Sequence, residues 1–550
     1  MDPRPLVVIA VNGGAFMGRV LLGFHQSQYQ VEPSPMTDTA RPNVLMILAD
    51  QHHADLLGCA GHPQAITPNL DTLAARGVRF TRAYCQNPIC TPSRVSILSG
   101  QYPHNTGYFG LSGPAPAALP NLFRHFRRHG YRTAAYGKLH LPESPRNWIA
   151  DDVDEFGDSY ESADGTFGRS DYLDGLQADG LRDKEDSWHN RTGYYSRHSI
   201  PGDARPSDMP YERTQEVWCA GRAMDFIAAD DDAPFCIQVA FQKPHHPLFP
   251  VQRFWDMYPA DLELPSTFAQ DPSHRSPNFQ NMFTKLRNGN GEFGSACDTY
   301  EDVARRMWRG TLACVSQLDD VVGILLRFLA DRGLADNTIV TYGSDHGAYH
   351  TIHGLPEKAP GICSDAVCRV PMIWRVPGSA QDGRVCDRLI ENVDTLPTLA
   401  ALCGLPAPDW ADGRDATPLL AGRGDSIRDA AFTENALSKS VRFGRWRMTY
   451  YPTPIYGGAY GGELYDLEAD PDETCNLYAD PDHHPVVMQG MRHILDWLTT
   501  TQRVVTGMPG SGEGSGIDGT RRYQLAEDGR MPNPLQPAAH LAEHGPGNYV

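Results

Sequence analysis

Four short apolar runs in this 550-residue chain each end in residues able to bind a cation or move a proton. Residues 44–49 lead to Asp50 and Gln51, residues 133–136 to Lys138 and His140, residues 235–241 to Lys243, His245 and His246, and residues 338–342 to Asp345 and His346. Asp50, Gln51, Asp345 and His346 offer two carboxylates, an amide and an imidazole. That mostly oxygen set suits calcium, magnesium or manganese, and the His346 nitrogen keeps manganese or zinc open. Singly, each cluster reads as well as a polar turn after a strand; their repetition points to one shared site. A fifth segment, Cys90-Thr91-Pro92-Ser93-Arg94, reads as a helix entrance with Thr91 as N-cap and Pro92 in the first helical position. Cys90 then faces a helix N-terminus, where aligned peptide dipoles and free N–H groups favour a thiolate and a neighbouring anion.

A scaffold must bring these distant strand ends together. The runs at 44–49, 133–136, 235–241, 338–342 and 370–374 have the continuous hydrophobicity of parallel strands covered on both faces. Helical patterns lie between them, and over 303–329 Leu318, Val322, Leu325 and Leu329 recur at spacings of three and four. The alternation predicts an α/β fold with a doubly wound, mostly parallel sheet, in which ligands sit outside the carboxyl ends of the strands. Residues 143–215, crowded with Asp, Gly, Ser and Tyr, break the rhythm and are expected to shape the pocket mouth. After about residue 425 short strand patterns around Val441, Met448 and Leu464 precede a helix over 486–500, predicting a smaller C-terminal α+β subdomain with an antiparallel sheet. The expected divisions are an extension at 1–40 outside the fold, the main domain at 41–425, the subdomain at 426–504 and a Gly/Pro-rich tail at 505–550. Such a tail should not pack alone; the expectation is an intersubunit arm in a homo-oligomer, a dimer or tetramer.

Forty-eight basic against 67 acidic residues give a net charge of -19, which opposes nucleic-acid and anionic-membrane partners, so an anionic substrate needs a local basic pocket. With 41% hydrophobic and 21% charged residues the composition is globular, and no apolar run approaches the roughly 18 residues of a membrane span. The twelve cysteines contain no C-x-x-C pair, so free, buried thiols are expected. Near the N-terminus the apolar run 6–11 is short and poorly flanked for a signal peptide, and Met36 could be the start; the expected location is cytoplasmic, with a periplasmic one left open.

Together, Cys90, Pro92, Ser93 and Arg94, the continuation Val95-Ser96-Ile97-Leu98-Ser99-Gly100, Tyr136-Gly137-Lys138-Leu139-His140, Lys243-Pro244-His245, Ser344-Asp345-His346-Gly347 and Leu464-Tyr465-Asp466-Leu467 make the chain resemble the formylglycine-dependent sulfatase family of the alkaline phosphatase superfamily. The likeness runs from about residue 41 to 500 and includes a lysine after the second metal pair, Lys358.

The resemblance implies that a formylglycine-generating enzyme oxidises Cys90 to an aldehyde. Its hydrate would stand among the ligands Asp50, Gln51, residue 90, Asp345 and His346 of one divalent cation, calcium first, with manganese and zinc as alternatives. One hydroxyl would attack the sulfur of a small anionic ester, while His245, with Lys358, protonates the leaving alcohol. His140 would deprotonate the second hydroxyl and expel sulfate. Lys138 and Lys358 would hold sulfate oxygens, and Arg94 would orient the hydrate and offset negative charge.

Gln51 departs from the commonest family pattern, two consecutive aspartates, and makes the metal site one unit less negative. Phosphonate monoester hydrolases and phosphodiesterases resemble the chain there. The first expected function is an arylsulfatase-like sulfuric ester hydrolase, the alternative a phosphonate monoester or phosphodiester hydrolase with the same chemistry. A binding protein that keeps Cys90 as a thiol is a third possibility.

Overall fold

In the computed structural model, described for residues 41–111, 119–142, 148–159, 170–184, 204–229, 233–287, 299–356, 358, 361–452, 461–502, 504–505 and 522–523, an eight-stranded sheet forms the centre of the main domain. Its strands are β1 (Asn43–Asp50), β2 (Val78–Tyr84), β3 (Arg132–Gly137), β4 (Glu155–Asp158), β5 (Phe235–Pro244), β6 (Thr338–Ser344), β7 (Met372–Arg375) and β8 (Arg384–Glu391), in spatial order β4-β3-β5-β1-β6-β7-β2-β8. The four strands whose ends carry the polar clusters are therefore neighbours. β3, β5, β1 and β6 run parallel and deliver those clusters to one edge.

Strand β1 shows why its sequence is apolar without alternation. Val44, Met46 and Leu48 pack on one face against Ile97, Leu122, Phe126 and Leu396, while Leu45, Ile47 and Ala49 pack on the other against Leu73, Ala223, Leu318 and Leu325. Each fully buried large aliphatic contributes roughly 1.5–3 kcal/mol, so both faces of the strand drive its burial. The helix Tyr300–Asp331 begins with a capping box between Thr299 and Asp302 and lays Leu318, Val322, Leu325 and Leu329 on the sheet.

The fold matches the α/β expectation, with differences that have local causes. The run at 370–374 forms β7, which begins at Met372 and is antiparallel to both β6 and β2. Three strands of the sheet do not read as continuous apolar runs: β2 and β8 alternate apolar with charged residues, and β4 is a four-residue edge strand inside the irregular 143–215 stretch. β4 and β8 are the two edges of the sheet, where one side of the strand lacks a partner and such charge is tolerated. Elsewhere in that stretch the helix Asp171–Ala178 packs Tyr172, Leu173 and Leu176 with Met209, and residues 143–147, 160–169 and 185–203 lie outside the described residues. So do the 1–40 extension and the tail, apart from the short parallel pair Val504–Val505 and Arg522–Tyr523. Among the described residues no helix is long and apolar enough to cross a membrane.

The C-terminal sheet is an antiparallel meander of β9 (Ala430–Glu434), β10 (Lys439–Phe443), β11 (Trp446–Tyr450) and β12 (Gly462–Asp466). The helix His484–Thr501 covers it with Val487, Ile494 and Trp497, and Trp497 stacks on Phe432 at 4.5 Å. Glu434 ties this sheet to the main domain: it accepts from His104 N at 2.8 Å and Nδ1 at 2.7 Å, and pairs with Lys439 at 2.5 Å. Burial pushes its carboxyl up, but Lys439 and then His104 outweigh this and hold it at about 2 against an ordinary 4.5. A depressed acid stabilises the fold above its unfolded value and loses that contribution as pH falls from 4.5 through 2. Glu434→Gln is thus expected to lower unfolding free energy by on the order of 3 kcal/mol at pH 7, with the deficit shrinking at pH 3; urea denaturation at both pH values checks it, and an equal deficit at both would refute it.

Candidate active site

The site begins where β1 and β6 end side by side. Asp345 N donates to Ala49 O at 3.2 Å and Gln51 N donates to Asp345 Oδ1 at 3.1 Å, so the two acidic turns hold each other. Ser344 Oγ accepts from His52 N and donates to His346 O, and Asn392 Nδ2 donates to Ser344 O. Ser93 Oγ, one turn into the helix Cys90–Ser99, donates to Asp345 O at 2.5 Å and docks that helix on the strand ends.

That helix starts earlier than its sequence suggests. Ile89 is the N-cap, without a side-chain cap bond, and Cys90 is the first helical residue. Thr91 is not the cap; its hydroxyl donates to Leu111 O at 3.3 Å. Pro92 then occupies the third helical position, where a missing N–H still leaves no internal bond unmade, so nothing prevents the helix from beginning before it.

Ligand atoms of Asp50, Cys90, Asp345 and His346, all buried, lie within 4.8 Å of one another. Cys90 Sγ is 3.2 Å from His346 Nε2 and 3.6 Å from Asp50 Oδ1. His346 Nδ1 donates to Gly347 O at 2.8 Å, which turns Nε2 toward the cluster. Two buried carboxylates, an imidazole nitrogen and the atom at position 90 converging on one point are the donor set a divalent cation fits. Gln51, carried on a left-handed backbone at φ 67°, points its amide oxygen at Lys358 Nζ, 2.7 Å away, and that oxygen retains a second lone pair.

Arg94 is the counter-charge beneath the cluster. Nε donates to Asp345 Oδ2 at 2.8 Å, Nη2 to Asp50 Oδ2 at 2.9 Å and Nη1 to Lys138 O. These donors are directed at the carboxylates, which is how Arg94 offsets negative charge here. Lys138 Nζ lies 2.8 Å from Asp50 Oδ2. Burial and the Cys90 charge push the Asp50 carboxyl up, yet Lys138, His245 and Arg94 together hold it well below the carboxylate range. Burial, then the Asp50 charge, holds Asp345 above it. Burial alone would raise the Cys90 thiol, but Lys358, Lys138, His346 and a hydrogen bond from His140 bring it well below the ordinary thiol value. The groups facing residue 90 thus favour negative charge at that position, in a chain of net negative charge.

His140 and His245 flank that hollow. His140 stands on a left-handed turn at φ 46° with its hydrogen bond to Cys90. His245 Nδ1 donates to His246 O at 2.6 Å, and Lys358 Nζ donates to its Nε2 at 3.3 Å. Burial and Lys138 push His245 down to about 3, so its ring is neutral at pH 7. His246 stacks on His245 at 4.1 Å. Lys243 turns elsewhere, to Glu216 at 3.2 Å, itself held by Gln317. All ten residues singled out in the sequence as catalytic or ligating groups therefore gather at one sheet edge. Asn392 and His350, which also hold the turns, carried no signal in the sequence beyond being polar, whereas Ser344 stood in the motif Ser344-Asp345-His346-Gly347 without a role of its own.

Residues 42–405 match the sulfatase family, and residues 361–500 match the family described as N-sulphoglucosamine sulphohydrolase, C-terminal. The chain is 28% identical over 456 residues to a choline-sulfatase of Rhizobium meliloti (strain 1021), covering 80% of this chain and 83% of that protein. It is 27% identical over 461 residues to an arylsulfatase of Clostridium perfringens (strain 13 / Type A), covering 80% and 90%. Among solved structures, the phosphonate monoester hydrolase of Agrobacterium radiobacter aligns with a TM-score of 0.70 at 25% identity, over 84% of this chain and 96% of that one. Fold and site together are those of the alkaline phosphatase superfamily. Within it the chain belongs to the sulfatase family and is a hydrolase acting on sulfate esters.

Proposed function

We propose that this protein hydrolyses a sulfate monoester of the arylsulfatase type after a formylglycine-generating enzyme converts Cys90 to formylglycine. The observation that carries the reading is the convergence of Asp50, Asp345, His346 and residue 90 within 4.8 Å, ringed by Lys138, His140, His245 and Lys358. A bound divalent cation, calcium first, supplies Lewis-acid polarisation of the ester oxygens. The hydrated aldehyde supplies a nucleophilic hydroxyl and a second hydroxyl whose deprotonation releases sulfate.

The surrounding residues divide the remaining work. Lys138 and Lys358 hold the nonbridging oxygens of the anion, and Arg94 keeps the two carboxylates in register. His140, hydrogen-bonded to residue 90, takes the proton of the second hydroxyl. His245 is neutral and accepts at Nε2 from Lys358, so the proton destined for the leaving oxygen is held by the Lys358–His245 pair, and an anionic ester beside it favours protonation of the imidazole.

The alternative, phosphonate monoester or phosphodiester hydrolysis by the same groups, is favoured by the neutral Gln51 amide and by the structural likeness to a phosphonate monoester hydrolase. Steady-state kcat/KM on an aryl sulfate and an aryl phosphonate monoester, with matured protein, decides between them. A sulfate preference is expected; a phosphonate preference above roughly tenfold, about 1.4 kcal/mol of transition-state binding, reverses the assignment. Maturation itself is read as a loss of about 18 Da on the Cys90 peptide.

A further inference from the structure

We propose that His350 is a positioning residue for the metal site, acting through the backbone of Gln51. It rests on the reading that Gln51 belongs to that site. Gln51 sits at φ 67°, a conformation an unbranched L-residue adopts only when its surroundings impose it. Its N–H is held by Asp345, and its carbonyl accepts from His350 Nε2 at 2.7 Å across 299 residues of sequence. With both backbone groups clamped, the peptide cannot rotate, and the amide side chain is left facing Lys358 and the ligand cluster.

His350 is itself placed by strain and by a second contact. His350 and Thr351 both have left-handed backbones, at φ 44° and 77°, in the loop after β6. A loop that merely reversed direction there would use glycine; here a side chain must be delivered from that conformation. The Thr311 hydroxyl lies 3.3 Å from His350 Nδ1, in the middle of the long helix Tyr300–Asp331. With Thr311 donating to Nδ1, Nε2 carries the hydrogen, which is the tautomer needed to donate to the Gln51 carbonyl. Gln51, His350 and Thr311 are all buried, so water does not replace the missing partner when one is removed. The effect is that of groups which orient a metal site without touching the ion.

Two substitutions separate reach from shape. In His350→Gln the amide nitrogen occupies the place of Nε2 and can still donate to Gln51 O. In His350→Asn it occupies only the place of Nδ1, although asparagine tolerates the left-handed backbone better. EDTA-treated proteins are titrated with calcium chloride and with manganese chloride, following the cation-dependent rise in melting temperature. Wild type and H350Q are expected to agree within about threefold in cation affinity, with H350N weaker by roughly 10–100-fold, each affinity being read against that variant's own metal-free melting temperature. Equal affinities for H350N and wild type overturn the proposal, as do equal losses in H350N and H350Q, which would mark packing alone. Should H350N not fold, Thr311→Val is read in the same titration, and wild-type affinity there overturns it. Asp345→Asn is the control for the underlying site: a wild-type cation response in D345N refutes the metal-site reading itself, whereas loss in D345N with retention in H350N refutes only the role of His350.

Discussion

A Cys90→Ala variant, compared with the matured enzyme, is expected to lose at least about 10⁴-fold in kcat on an aryl sulfate, the scale seen when the nucleophile of a covalent mechanism is removed. Position 90 is where the ends of β1, β3 and β6 converge: His346 Nε2 at 3.2 Å, Asp50 Oδ1 at 3.6 Å, and His140 and the two lysines around it. Alanine keeps the helix start and removes only the reacting group, so the loss should appear in kcat with the melting temperature within a few degrees of wild type. The remaining rate measures what the cation and Lys138 do to the ester unaided. Retention of more than about 1% of wild-type kcat would mean that another nucleophile acts, and the role assigned to Cys90 would be withdrawn.

Arg94→Leu is expected to destabilise the metal-free protein by about 3–5 kcal/mol, the cost of leaving a buried charge without its partner. Leucine fills part of the volume but removes three donors, two of them to the carboxylates of Asp50 and Asp345, which are entirely buried. Lys138 remains to Asp50, whereas Asp345 is left beside a like charge. Because burial and Asp50 already hold Asp345 above the carboxylate range, lowering the pH protonates it first and narrows the deficit. Saturating calcium should narrow it too, by supplying positive charge to the same oxygens. Urea unfolding in EDTA at pH 7, at pH 5 and with calcium gives the three numbers; a deficit under 1 kcal/mol in EDTA, or one independent of calcium, would show that Arg94 does not neutralise the pair.

Much of the scaffold was legible because burial on two faces imposes a local pattern. The run that became β1 is apolar over 44–49 since Val44, Met46 and Leu48 meet one helical layer and Leu45, Ile47 and Ala49 the other, and β3, β5 and β6 are nearly as apolar. Strands β2 and β8 were not legible, because charged residues mixed into their alternation make each imitate a loop. The direction of β7 was equally hidden: parallel and antiparallel strands place side chains with the same period of two.

The residues that do the chemistry are a property of the sequence, since a thiol before Pro92, paired acids after strands and histidines after lysines define the available reactions whatever the fold. What they do to one another belongs to the tertiary structure. Arg94 became a counter-ion to two carboxylates, Lys243 was drawn away to Glu216, and His350 came to hold a carbonyl 299 residues away. Such contacts depend on which strands become neighbours and on where helices dock, and a periodic pattern of apolar residues encodes only which face is buried, not what lies against it.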